Sequence, residues 1–141
     1  MSFNFSKKFD FIPNMYYDSK RIDVTYQTKL LGVICCSDGR WEENSKYLAS
    51  KGNTRLFFMR RLKSLGASVE TLKEVYILYV CSILEMLAPL WAGALSKSSE
   101  NLLERVQRAA CRIMSPRKEY SSALVDLELD CIRDRYKIIA K

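Results

Sequence analysis

Between Glu74 and Lys97 the chain runs for 22 residues with Glu85 as the only charge. Leu72, Val75, Tyr76, Tyr79, Val80, Ile83, Leu84, Leu87 and Trp91 recur there at helical spacing so densely that no polar face is left. A helix of that kind must be buried, inside a protein core or inside a bilayer. In a bilayer Glu85 would sit near the midplane at a cost of about 2–4 kcal/mol. Pro89 would also interrupt the backbone ladder four residues later. A core helix is therefore expected rather than a span. It opens at Ser68, with Glu70 in its first turn, and kinks or ends near Ala88-Pro89.

The flanking segments are amphipathic and would pack around this rod. From about Glu42, Leu48, Gly52, Leu56 and Met59 recur at spacings of three and four, and Gly66 supplies a left-handed stop. A third helix is expected over residues 98–115, ended by Pro116, with Leu103, Val106, Ala110 and Ile113 inside and a Glu104–Arg108 pair outside. Two short amphipathic pieces begin near Ser121 and Asp130. Ile132, Tyr136 and Ile139 mark the inner face of the second, which ends mid-pattern as a truncated or fraying helix would.

Residues 1–40 read differently. Phe9 and Phe11 alternate with Asp10, Ile22 and Val24 alternate with Asp23, and the run from Lys29 to Ile34 is a continuous apolar strand stopped by Ser37-Asp38-Gly39. Gly32 inside that run is either a bulge or a backbone left bare for something to lie against it. The expected fold is mainly α, a helical bundle over residues 41–141 preceded by a small antiparallel β-hairpin in residues 1–40. At 141 residues, 48% hydrophobic and 28% charged, the chain suits one globular domain.

Charge is placed unevenly. Residues 41–66 carry six Lys/Arg against Glu42 and Glu43, residues 67–95 carry Lys73 against three glutamates, and residues 96–141 carry ten Lys/Arg against seven acids. The net charge is +7. Two basic ridges flank the apolar rod: Arg55, Arg60, Arg61 and Lys63 in one, Arg105, Arg108 and Arg112 in the other. Each reads either as a solvated helix face or as a surface for phosphates or an acidic protein.

Several chemistries are excluded. With no histidine, Ser-His-Asp and Cys-His triads, HExxH zinc sites and two-His-one-carboxylate iron sites cannot be assembled. There is no Gly-rich phosphate loop and no visible pair of carboxylates for two-metal catalysis. The five cysteines have no C-x-x-C spacing. Together with the absence of a signal-peptide pattern at the first residues, this points to a reducing compartment, nuclear or cytoplasmic.

The order of motifs adds a resemblance. KLLGV at 29–33, Trp41, RLFFMRRLKSLG at 55–66, LYVCSILEMLAPLW at 78–91, LLERVQRAACRIM at 102–114 and YSSALVDLEL at 120–129 together resemble the region after the catalytic palm in reverse transcriptases of non-LTR retrotransposons, the LINE and jockey-like elements. The resemblance spans about residues 7–140. It implies that the KLLG turn belongs to a primer-grip strand pair, with Lys29 and Gly32 near the primer, and that the helices form a thumb-like bundle and the connection beyond. Glu85, Pro89 and Trp91 match one family signature, with Met86 in place of its tyrosine. Glu104, Gln107, Ala110 and Arg112 match another, while a terminal Arg-Arg pair is half kept as Arg135-Tyr136.

The family's magnesium-binding aspartates belong to the palm, which this chain lacks, so no metal or cofactor is expected here and the chain alone should not polymerise. The resemblance implies contact with an RNA or DNA duplex through Lys29, Gly32, Arg55, Arg60, Arg61, Lys63, Arg105, Arg108 and Arg112, with the palm as a protein partner. The stretch from FDFIPN through RRLKSLGA is also similar to a domain family labelled as the N-terminal region of an AlkB-type tRNA-modifying homologue. That label implies 2-oxoglutarate dioxygenase and methyltransferase activity, but the iron site of the former needs histidines this chain does not have. A helical protein-interaction module is the alternative expectation.

Overall fold

The computed structural model describes residues 14–139, in which two short antiparallel hairpins precede six helices. The fold is mainly α, as the periodicities predict. The expected strand at Phe9 and Phe11 lies outside the described residues.

Strands β1 (Tyr16–Tyr17) and β2 (Lys20–Arg21) form the first hairpin, and β3 (Gln27–Leu30) and β4 (Val33–Cys36) the second. Ile22 and Val24 fall beyond β2 and are exposed, so the alternation around Asp23 makes no half-buried strand. The apolar run from Lys29 to Ile34 is likewise not one strand. Leu30 faces Val33 across the ladder, and the two residues between them have positive φ, 49° at Leu31 and 88° at Gly32. Positive φ at both central positions is the geometry of a type I′ turn, whose twist matches that of the paired strands. Glycine suits the second position, but leucine at the first hides the turn from a pattern-based reading.

The bare side of Gly32 is filled by the chain itself. A Cβ there would lie 2.7 Å from Sδ of Met86, so the hairpin rests against the segment following the central rod. Val33 is buried in the core, and Asn44 accepts a hydrogen bond from the Ile34 amide at 3.1 Å through Oδ1. These contacts fix the hairpin to the first helix.

Helix α1 (Glu42–Ser64) buries Leu48, Ala49, Gly52, Leu56 and Met59, the expected stripe. It ends in a Schellman motif: Gly66, at φ 88°, donates to the Lys63 carbonyl, and Ala67 donates to that of Leu62. Helix α2 (Val69–Leu84) starts at Ser68, whose hydroxyl accepts from the Thr71 amide at 3.2 Å, and is π-helical over Tyr76–Cys81. Leu72, Tyr76, Val80, Cys81, Ile83 and Leu84 are buried, but Leu78 is 76% exposed and Tyr79 45%. The rod is therefore not enclosed all round, which corrects the sequence expectation: α1 and the later helices cover one side of it.

The rod also breaks earlier than expected. It ends at Leu84, Leu87 turns left-handed at φ 52°, and Pro89 opens the short helix α3 (Ala88–Trp91) instead of ending α2. Proline in a first helical turn sacrifices no hydrogen bond. The carbonyls freed at the break are satisfied from elsewhere. Tyr136 donates to the Leu84 carbonyl at 2.7 Å, and Trp91 Nε1 donates to that of Met86 at 2.9 Å. Among the described residues no single helix is long and apolar enough to cross a membrane; only α2 with α3 and the turn after it, bent by 42°, combine that length and composition.

Helix α4 (Lys97–Met114) is capped by Ser96 and buries Leu103, Val106, Ala110 and Ile113. Helices α5 (Tyr120–Asp126) and α6 (Ile132–Ile139) follow, α6 burying Ile132 and Tyr136. The core closes at Gly52, where an added Cβ would meet Val106 Cγ1 at 2.8 Å and Leu84 Cδ2 at 3.1 Å. Here α1, α2 and α4 meet.

Candidate nucleic-acid interface

Helices α1 and α4 run in the same direction, since Gly52 meets Val106 and, further on, Lys63 meets Ile113. Their C-terminal ends therefore lie side by side. Between them is an open cleft of about 410 Å³ lined by Arg60, Lys63, Ala109, Arg112 and Ile113, with no carboxylate in its wall. The two basic ridges meet at this point.

The cations there have a competing electrostatic task. The C-terminus of each helix carries about half a negative charge, and basic residues near it are stabilising for that reason alone. Lys63 shows this directly by donating from Nζ to the Ile113 carbonyl in the last turn of α4. Two helix ends offset only about one positive charge. Arg60, Lys63 and Arg112 supply three, so the cleft keeps a positive excess.

Among the described residues the ion pairs join Arg40 to Asp38, Lys46 to Glu43, Lys73 to Glu128, Lys118 to Asp126, Arg133 to Glu100, Arg135 to Glu85 and Lys137 to Asp134. None uses a ridge cation. The expected Glu104–Arg108 pair does not form, because Tyr120 comes between the two side chains in function. Its hydroxyl donates to Glu104, and its ring lies 4.8 Å from the Arg108 guanidinium. Burial and the Glu104 carboxylate push the Tyr120 phenol well above its usual range.

The nine candidate residues thus separate by environment. Lys29 donates to the Tyr47 hydroxyl at 2.7 Å and sits 4.7 Å from its ring, which lowers the Tyr47 phenol. Arg55, half-buried, donates to the Tyr79 carbonyl and stacks 4.2 Å from its ring. Arg108 is on Tyr120, Lys63 on Ile113, and Gly32 against Met86. Arg60, Arg61, Arg105 and Arg112 are exposed and have no side-chain hydrogen bond, ion pair or ring partner among the described residues. Arg105 lies two helical turns before Arg112 on α4.

The tyrosines that hold these cations were missed by sequence reasoning. Tyr79 reads as a member of the apolar rod and Tyr47 is not singled out by any pattern, and nothing local announces that a cation 18 or 24 positions away will lie on them. Conversely, residues carrying the family resemblance act here in packing: Glu85 pairs with Arg135, Trp91 closes the helix break, and buried Gln107 donates to the Asp130 carbonyl at 2.8 Å. Among the described residues no group of three or more Cys, Asp or Glu is placed to hold a metal ion. Cys81 and Cys111 are buried, and burial, with Glu85 and Glu104 adding to it, pushes each thiol up to about 11. No protein-family model, no curated protein and no solved structure matches this chain.

Proposed function

We propose that the cleft between the C-terminal ends of α1 and α4 binds the phosphate backbone of a nucleic-acid duplex, in the manner of the thumb-like part of a reverse transcriptase. The observation that carries this reading is the acid-free cleft itself, walled by the exposed cations Arg60 and Arg112, which have no acidic partner among the described residues, with exposed Arg105 two helical turns before Arg112 on α4. Arginine forks suit phosphate oxygens, and contacts of this type position a duplex without reading its sequence. Chemistry is not assigned to this chain: nucleotide addition in the family rests on magnesium held by the palm. All five cysteines are unpaired, in keeping with a reducing compartment, nuclear or cytoplasmic.

The test is a filter-binding titration of primer-template duplex at about 50 and 200 mM salt. Binding at low salt that weakens steeply at the higher concentration is expected. No binding at low salt would end the proposal and leave the alternative of a helical interaction module, which the exposure of Leu78 and Leu90 favours.

A further inference from the structure

Helix α1 has a second stripe, directed at solvent. Phe57 is 70% exposed and Phe58 49%, and Arg61 follows them at i+4 and i+3, on the same face. Phe58 meets Tyr79 edge to face, ring centroids 5.8 Å apart, and the Arg55 guanidinium lies over the Tyr79 ring, 4.2 Å from its centroid. From Asn53 to Ser64 the helix contains no acidic residue.

We infer that this face binds an unpaired nucleic-acid strand, stacking its bases on Phe57 and Phe58 while Arg61 holds its phosphates. The inference rests on the proposal that the chain binds nucleic acid, and it adds a second ligand form on a different face of α1. A duplex hides the flat sides of its bases within its own stack, so only unpaired bases can offer them to exposed rings. Aromatic side chains interleaved with cations and free of acids are what a strand of any sequence requires. Charge complementarity favours this polyanion over a protein: nothing on this stretch of α1 would meet the basic residues of a mixed-charge partner surface.

The experiment uses the full chain, a fluorescein-labelled oligothymidylate of about 15 nucleotides and a duplex of similar length, read by anisotropy at low salt. Phe57→Ala and Phe58→Ala are each expected to weaken strand binding about tenfold. Phe57→Trp should retain it, and duplex binding should stay within about twofold of the native protein in all three variants. Both phenylalanines are exposed, so the variants should keep the native helix content by circular dichroism. Strand binding unchanged in the alanine variants, or strand and duplex weakened equally, would overturn the inference. A native chain that binds duplex but not the strand would overturn it while sparing the proposed function, and one that binds neither would end both. Self-association abolished by Phe57→Ala, without strand binding, would assign the face to a second copy and overturn the inference as well.

Discussion

Arg135 grips the carboxylate of Glu85 with two nitrogens, Nη2 at 3.0 Å from Oε2 and Nε on Oε1, across 50 positions of sequence. Both side chains are largely buried, 27% and 20% exposed. This pair fastens α6 onto the break between α2 and α3, and it turns the one charge of the apolar segment from a liability into a tie.

Removing one partner leaves a mostly buried charge alone. Arg135→Met is expected to lower stability by about 2 kcal/mol, less than a fully buried pair because some solvent reaches the site. Glu85→Met combined with Arg135→Met should recover part of that loss. Urea unfolding of the two variants beside the native chain reads both effects, and an Arg135→Met protein as stable as the native chain would contradict them.

The hairpin turn holds a leucine where its backbone is least at ease. Leu31→Asn, at φ 49° and on an exposed side chain, is expected to raise stability by about 1 kcal/mol, since Asn-Gly is the favoured pair for this turn. Gly32→Ala should lower it by about 1–2 kcal/mol, and Met86→Ala should not restore it fully, because the φ of 88° remains whatever space is opened. Thermal midpoints of the variants give the comparison.

At the crossing of α1 and α4, local propensity and packing oppose each other. Gly52→Ala gains about 1 kcal/mol of helix propensity but places a Cβ 2.8 Å from Val106 Cγ1. Overpacking costs about 1–3 kcal/mol, so a net loss is expected, partly relieved by Val106→Ala. A more stable Gly52→Ala protein, measured by urea midpoint, would show that the crossing is looser than described.

Alkaline pH should unfold the protein through its buried thiols. Cys81 and Cys111 have an ordinary value of 9.0 and are raised to about 11 in the fold. Between those values the unfolded chain releases protons that the folded chain keeps. Stability is therefore full below about pH 9 and declines as pH rises toward 11. Tyr76, Tyr120 and Tyr136, all raised by burial, extend the decline in the same direction. Urea midpoints across this range should fall, and less steeply in a Cys81→Ala/Cys111→Ala protein.

The helices were legible where one face had to be buried. Leu48, Leu56 and Met59 on α1 and Leu103, Val106 and Ala110 on α4 are periodic because the core selects them, and Gly66 marks its stop by a conformation few other residues accept. The break after Leu84 was placed too late because its cause is tertiary: Tyr136 and Trp91 satisfy the carbonyls that an earlier end leaves open. The hairpin was obscured by one residue, Leu31, whose hydrophobicity signals strand while its φ makes a turn. At the candidate site, sequence named the cations but could not sort them, since stacking on Tyr47, Tyr79 and Tyr120 depends on distant neighbours.

Arg60 and Arg112 are proposed to face a phosphate backbone across one cleft, and the salt dependence of duplex binding in the native protein and in Arg60→Ala/Arg112→Ala tests this pairing head on. Each lost phosphate contact should reduce the slope of log K against log salt by about 1, so the double variant should bind more weakly and lose about 2 from the slope. A double variant with native affinity and native slope would contradict the account.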